Sequence, residues 1–295
     1  MQVEDNIRRL YETMVASDYI LLGAGAGLSA AAGISFADEK AFAQEYPVLW
    51  QKGIHSDYQT FSYRDWPPEQ QWAYWARHIQ AVRFDTPPLP LYAELLALLE
   101  GFDYHIITSN VDRQFYRSGF PMERVHEAQG TYDQLICSQL CTEEEWPIGP
   151  VITKMQQAID PERFVIPQSL LPVCPHCGAP LRMAFRDIAD YDGSLERYRS
   201  FLRRSEAGSI CIIEIGVGFN SPGVIRVPFE RITGERDNAR FFRITVDYPD
   251  SEEEIAYPEI PRPIADKSLS INEDAGAVIR ALLAMKRASE KDSVR

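Results

Sequence analysis

The chain has 295 residues, 45% hydrophobic and 25% charged, enough for one large core and a smaller lobe. Lys and Arg number 30 against 43 Asp and Glu, a formal net charge of −13. No basic run is long enough for a nucleic-acid footprint, which argues against DNA and RNA as partners.

The opening Met1-Gln2-Val3-Glu4-Asp5-Asn6 has neither the basic start nor the apolar run of a secretory signal. The most apolar stretch, Tyr19 to Gly33, is interrupted by glycines and a serine, unlike a membrane span of roughly 20 apolar residues. The expectation is a cytoplasmic protein with no membrane partner. Over residues 3 to 15, Val3, Ile7, Leu10 and Met14 recur at helical spacing. Tyr19 to Leu22 reads as a buried strand, followed by the turn Gly23-Ala24-Gly25-Ala26-Gly27-Leu28-Ser29 and an alanine-rich helix. Strand, glycine turn and helix are the order a dinucleotide site needs: glycine lets backbone N–H groups approach a pyrophosphate, and the helix offers its positive end. Any tight strand-to-helix connection can use glycine, so the turn alone leaves that choice open.

Further strands are predicted at His105–Thr108, Ile210–Ile215 and Phe242–Val246, spaced for crossover connections, and a closing helix at Glu273–Met285 with a frayed, charged tail from Lys286. These give an α/β class: a Rossmann-like doubly wound parallel sheet with a smaller helical and zinc-binding lobe. Residues 1–38, 92–130 and 207–295 would form the NAD-binding domain. The insertions 39–91 and 131–206 would form the lobe, the first carrying Trp50, Trp66, Trp72 and Trp75 beside Tyr58, Phe61 and Tyr74. Such aromatic density reads as core, with some of it free to line the cleft.

Several strand ends carry chemistry. Thr108-Ser109-Asn110-Val111-Asp112 places Asn110 and Asp112 at the carboxyl edge of the sheet, with donors and acceptors suited to a carboxamide and ribose hydroxyls, although Asn and Asp also favour caps and turns. Glu214 to Asn220 brings a second glycine turn, Gly216-Val217-Gly218, to the same edge, and Asp247 ends another strand where an acid can hold an adenosine ribose. Cys137-x3-Cys141 and Cys174-x2-Cys177 have structural-zinc spacing, the alternative being two chance pairs of buried thiols. His176 reads as a spacer and Cys211 as core.

In this order the segments resemble the sirtuin family over residues 5 to 285. Gly25-Ala26-Gly27-Leu28-Ser29-Ala30-Ala31-Ala32-Gly33-Ile34 lies on Gly-Ala-Gly-x-Ser-x-x-x-Gly-Ile, Thr108 to Asp112 on Thr-Gln-Asn-Ile-Asp, and Cys174 to Arg182 on Cys-x-x-Cys-Gly-x-x-Leu-Arg. The resemblance implies NAD as co-substrate, structural zinc on the four cysteines, cleavage of the nicotinamide glycosidic bond, and a cofactor site on Gly23 to Gly27, Ser29, Ser109, Asn110, Asp112, Gly216 to Gly218, Asn220 and Asp247.

Four departures stand out. Gly33-Ile34-Ser35-Phe36-Ala37-Asp38 replaces Gly-Ile-Pro-Asp-Phe-Arg, and Glu127-Ala128-Gln129-Gly130 replaces Glu-x-His-Gly. Met183-Ala184-Phe185-Arg186-Asp187 replaces the acyl-lysine docking stretch, and Gly216-Val217-Gly218 replaces Gly-Thr-Ser. Gln129 cannot take a proton near neutral pH, which removes a general base worth about 10²- to 10⁴-fold. His126 would point away from Gln129 on an extended backbone. With Trp72-Ala73-Tyr74-Trp75-Ala76-Arg77-His78, these features resemble the macrodomain-associated, class M sirtuins, linked to mono-ADP-ribosylation of lipoyl-bearing carrier proteins. The resemblance implies an ADP-ribosyltransferase in which Asn110 and Gln129 position ribose and nucleophile and Asp112 grips the carboxamide, with a protein acceptor. A weak deacylase or NAD glycohydrolase, and a non-catalytic NAD or ADP-ribose sensor, are the alternatives.

Overall fold

The computed structural model describes residues 2–63, 65–184, 193–219, 221–246 and 259–293. Helix α1 (Gln2–Ala16) buries Ile7, Leu10 and Met14 on one face and keeps Glu4 and Asp5 at its positive end. Strand β1 (Tyr19–Ala24) runs through the glycine turn into α2 (Ala26–Ala32). Helices α3 (Glu39–Glu45), α4 (Pro47–Trp50), α5 (Asp57–Ser62) and α6 (Pro68–Ile79) follow, and α6 continues into a π-helical turn over Gln80–Asp85. Helix α7 (Pro90–Leu99), strand β2 (Tyr104–Thr108), the short α8 (Gln114–Arg117) and strand β3 (Val125–Glu127) bring the chain back to the main sheet. Strands β4 (Gln134–Cys137) and β5 (Trp146–Pro147), helix α9 (Gly149–Gln156) and strand β6 (Leu181–Met183) come next. The chain ends with α10 (Ser194–Arg204), β7 (Ile210–Ile215), α11 (Arg226–Glu235), β8 (Ala239–Thr245), β9 (Ser268–Asn272) and α12 (Ala275–Ser293).

Among the described residues, six strands pair in the order β3-β2-β1-β7-β8-β9, all parallel. Parallel sheets need cover on both faces, and β7 is buried throughout. Leu22, Ile106, Ile213 and Ile244 pack with α1, α7 and α12 on one face; Leu21, Ile107, Ile212 and Phe241 pack with α10 and α11 on the other. The chain order reverses between β1 and β7, which opens a crevice at their carboxyl ends. The register sets Glu127, Thr108, Ala24, Ile215 and Ile244 in one row at that edge. The residues that follow each of them form the mouth of the crevice.

A separate hydrophobic cluster joins Phe42, Trp72 and Tyr74 from the first insertion to Tyr132, Ile152 and Leu181 from the second. Beside it, β5-β4-β6 form a small antiparallel sheet.

Several features of the fold go beyond the sequence expectation, the small sheet β5-β4-β6 among them. Strands β3 and β9 were not anticipated: β3 has only three residues, and β9 has one fully buried residue, so neither offers a long apolar run. The segment from Lys286 is not frayed but stays helical to Ser293, because Lys286 Nζ caps the end of α7, donating to Ala97 O at 2.9 Å and Leu98 O at 3.2 Å. Gly23 serves helix–sheet packing: a Cβ there would lie 2.4 Å from Ile225 Cγ2 and 2.6 Å from the Phe229 ring. Gly23→Ala therefore lowers unfolding free energy by about 1–3 kcal/mol through overpacking. Gly234→Ala, with 3.6 Å of clearance, leaves it unchanged or slightly raised; urea titration of both variants checks the contrast.

Candidate active site

The two glycine turns are built against each other. A Cβ on Gly25 or Gly27 would meet the Gly216 backbone at 2.5 or 2.6 Å, and Gly216 itself has φ +59°, a left-handed conformation suited to glycine. Gly25 N–H donates to Ile215 O and Gly27 N–H to Gly216 O, each at 2.9 Å. Both amides are thus engaged by β7 and its turn in this structure. Ala26 N–H, at the start of α2, has no hydrogen-bond acceptor among the described residues and is half-buried.

Below this turn lies a buried polar cluster. Ser29 Oγ donates to Asp112 Oδ2 at 2.6 Å, accepts from Asn110 Nδ2 at 3.0 Å, and lies 2.9 Å from Tyr92 Oη. Ser29 has one proton, and it goes to the carboxylate, so the Tyr92 hydroxyl must donate to Ser29. Asp112 Oδ1 accepts from Gln114 N–H at 2.9 Å. Burial raises the Asp112 carboxyl above its usual range, against the pull of Ser29 and the Gln114 amide. Burial likewise drives the Tyr92 phenol well above its ordinary value. Asn110 spends its second amide hydrogen on Gly25 O at 3.0 Å, while its backbone N–H reaches Thr108 Oγ1. The Asn110 side-chain oxygen therefore remains as an acceptor. Asp112 is 1% exposed with both oxygens engaged, one ordering Ser29 and the other the start of α8. Ser109 donates its N–H to Ala24 O and is half-buried beside the same edge.

Strand β3 ends on Glu127, and the turn after it carries Gln129. Gln129 Nε2 donates to Ser221 Oγ at 3.1 Å, which carries this side chain from the loop after β3 to the loop after β7. His126 turns to the α10 side, with Nδ1 2.8 Å from Ser194 Oγ and its ring stacked on Tyr198. Glu127 is ion-paired with Arg113; burial pushes its carboxyl up to about 7, Arg113 opposes the shift, and Asp133 and Asp112 add to it.

At the β7 end, the Val217 side chain is buried in the α11 core, which leaves its backbone at the mouth. Gly218 is half-buried there. Arg226 Nη2 donates to Val217 O at 3.0 Å, lies 3.4 Å from Glu214 Oε1, and covers the Phe219 ring. Arg243 Nε donates to Glu214 Oε1 at 2.7 Å. Paired cations answer the buried Glu214 carboxylate, whose pKa burial nevertheless raises. Asn220 and Asp247 lie outside the described residues, as do Phe185, Arg186 and Asp187.

In the small lobe, the Sγ atoms of Cys137, Cys141, Cys174 and Cys177 lie within 4.8 Å of one another. Cys137–Cys177 and Cys141–Cys174 are 3.5 and 3.6 Å apart. Zn–S bonds of about 2.3 Å arranged as a tetrahedron require edges of nearly this length, and a disulfide would need about 2.05 Å. The four thiolates therefore fit structural zinc. His176 bonds Glu144 Oε2 at 2.7 Å and stays out of the cluster. Cys211 is buried in β7, and burial raises its thiol pKa.

The aromatic insertion is mostly core. Its buried His78 lies 3.0 Å from Asp57 Oδ1 through Nδ1 and 3.0 Å from Tyr132 Oη through Nε2, and Phe36 packs on its ring. Sequence reasoning missed Tyr92, Gln114, Arg113 and Ser221. Arg113 alone left a signal, as the residue directly after Asp112.

Solved structures of Sir2 homologues share this architecture. A Sir2 homologue–ADP-ribose complex aligns with TM-score 0.58 at 20% identity, covering 96% of this chain and 97% of the other. A Sir2 protein bound to a propionylated peptide gives 0.60 at 18%, over 95% and 98%, and a Sir2 homologue–NAD complex gives 0.57 at 19%, over 96% and 94%. The chain therefore has the sirtuin fold. In sequence it is 29% identical over 288 residues to a protein ADP-ribosyltransferase of Staphylococcus aureus, covering 94% of this chain and 87% of that one. It is 31% identical over 238 residues to a probable bifunctional ADP-ribose hydrolase/ADP-ribosyltransferase of Fusarium oxysporum f. sp. cubense, covering 77% of this chain and 40% of the relative's length. No protein-family model matches the chain. No helix among the described residues is long and apolar enough to cross a membrane.

The small sheet has strands of only four, two and three residues, too little pairing to hold the cysteine loops unaided. Removing zinc with a chelator should lower the thermal midpoint by several degrees and expose the lobe to protease. Equal stability of metal-free and zinc-loaded protein would remove the structural role.

Proposed function

We propose that this chain is an NAD-dependent protein mono-ADP-ribosyltransferase of sirtuin type, with residues 1–38, 92–130 and 207–295 as its NAD-binding domain and 39–91 and 131–206 as its small lobe. NAD lies across the crevice between β1 and β7. Its pyrophosphate lies near the Gly23 to Ser29 turn at Ala26 N–H, and its nicotinamide ribose lies over Asn110. The Ser29–Asn110–Asp112 cluster supports the NAD site, and the similarity to the Staphylococcus aureus ADP-ribosyltransferase supports the reaction.

The observation that favours transfer over deacylation is the position of the histidines. All five are engaged elsewhere: His55 against Trp50, His78 between Asp57 and Tyr132, His105 under Phe201, His126 on Ser194 and His176 on Glu144. An amide, Gln129, stands at the mouth instead.

The chemistry can proceed without a strong base. The C1′–N bond breaks, nicotinamide leaves with the bonding pair and becomes neutral, and the acceptor's nucleophile bonds to C1′ and releases its proton to solvent. The Asn110 oxygen accepts from a ribose hydroxyl, Gln129 orients the nucleophile, and the charge that develops at C1′ is met by fixed dipoles. Asp112 contributes from beneath by holding Ser29 and Asn110. A lipoylated carrier protein is the proposed acceptor.

Intact-mass analysis after incubation with NAD and lipoylated or unlipoylated carrier tests this reading. The expected outcome is an ADP-ribose adduct on the lipoylated form, reduced about 10²-fold in Asn110→Ala and about 10-fold or more in Gln129→Ala. Nicotinamide release without an adduct would indicate a glycohydrolase, and bound NAD with no release would indicate a sensor.

A further inference from the structure

Gln129 sits in a turn whose two ends are held by one arginine. Arg113 Nη1 pairs with Glu127 Oε2, and Arg113 Nε lies 2.8 Å from Asp133 Oδ2 in an ionic contact without hydrogen-bond alignment. Glu127 and Asp133 bracket residues 128–132. Asp133 Oδ1 also takes Arg83 Nε at 2.5 Å from the π-helical turn after α6, and Arg117 Nη1 holds Arg83 O at 2.9 Å. Inside the bracket, Gly130 N–H closes on Glu127 O, and Tyr132 N–H reaches Val111 O. Arg113 is half-buried and has φ +63°, an uncommon conformation for a side-chain-bearing residue. That backbone follows directly on Asp112 and aims the guanidinium between the two acids.

We propose that Arg113 is a positioning residue whose double ion contact with Glu127 and Asp133 fixes the 127–133 turn and so sets Gln129 over the Asn110–Asp112 cluster. The role in turnover rests on the transferase reading; the restraint of the turn does not. The groups facing Glu127 are Arg113, Asp133 and Asp112. Because the folded carboxyl titrates near pH 7, the ion pair is complete above that pH and is lost as pH falls through it.

The experiment compares wild-type protein with Arg113→Gly, Arg113→Lys and Glu127→Gln. It measures hydrogen–deuterium exchange over residues 127–133, thermal midpoint, NAD binding, and nicotinamide release from NAD between pH 6 and 8.5. Glycine suits φ +63° better than arginine, which offsets part of the cost of leaving the mostly buried Glu127 unpaired, so Arg113→Gly should stay folded with a thermal midpoint only a few degrees lower. Its turn should exchange at least tenfold faster and its turnover fall at least tenfold, with NAD affinity within threefold of wild type. Arg113→Lys should recover part of both. Glu127→Gln should flatten the rise in turnover across pH 7. Exchange in Arg113→Gly within twofold of wild type overturns the proposal, as does faster exchange with unchanged turnover or a general loss of stability and NAD binding. If the wild type releases no nicotinamide, the transferase reading fails, and the exchange result still decides whether Arg113 restrains the turn.

Discussion

A carboxylate taken out of water must be met by donors, and Asp112 meets this condition with one hydroxyl and one backbone amide. Much of the site follows from that requirement. The hydroxyl comes from Ser29, which fixes α2 and the glycine turn before it; Ser29 in turn takes Tyr92 and Asn110 as donors, which ties in α7 and the end of β2. Asn110 then holds Gly25 O. Three segments distant in sequence are thus locked at the carboxyl ends of β1 and β2, and the one side-chain oxygen left over points to function. Losing any member would strand a buried polar partner, which costs more than the bond itself contributes.

The glycines form a second constraint on the same place. Gly25 and Gly27 allow the β1 turn to touch the β7 turn, and Gly23 allows α11 to lie close on the sheet. Three of the four glycines in the segment are therefore explained by packing before any ligand is considered. The close contact at the switch point shapes the crevice and leaves Ala26 N–H without an acceptor among the described residues.

Much of this was legible in the sequence. Short, mostly apolar runs marked β1, β2, β7 and β8, although β7 and β8 also carry the buried Glu214 and Arg243. The cysteine spacing marked the metal cage, because ligands in a knuckle are close in sequence. Asn110 and Asp112 were found because they follow a strand directly. Tyr92 was invisible: it sits in an apolar helix and its hydroxyl matters only through a long-range contact. Strand β3 was hidden by its length, and the packing of Gly23, Gly25 and Gly27 was not legible because their neighbours come from α11 and β7, far along the chain. Gln129 was visible as a departure, whereas the Arg113 bridge that brackets it depends on a left-handed backbone that no residue type announces.

The central claim is that the crevice between β1 and β7 takes ADP-ribose over this buried cluster. A crystal structure of the protein with ADP-ribose tests it most directly. The account predicts a diphosphate beside Ala26 N–H and a ribose hydroxyl within hydrogen-bond distance of the Asn110 side-chain oxygen. ADP-ribose bound elsewhere, or an empty crevice at saturating ligand, would contradict it.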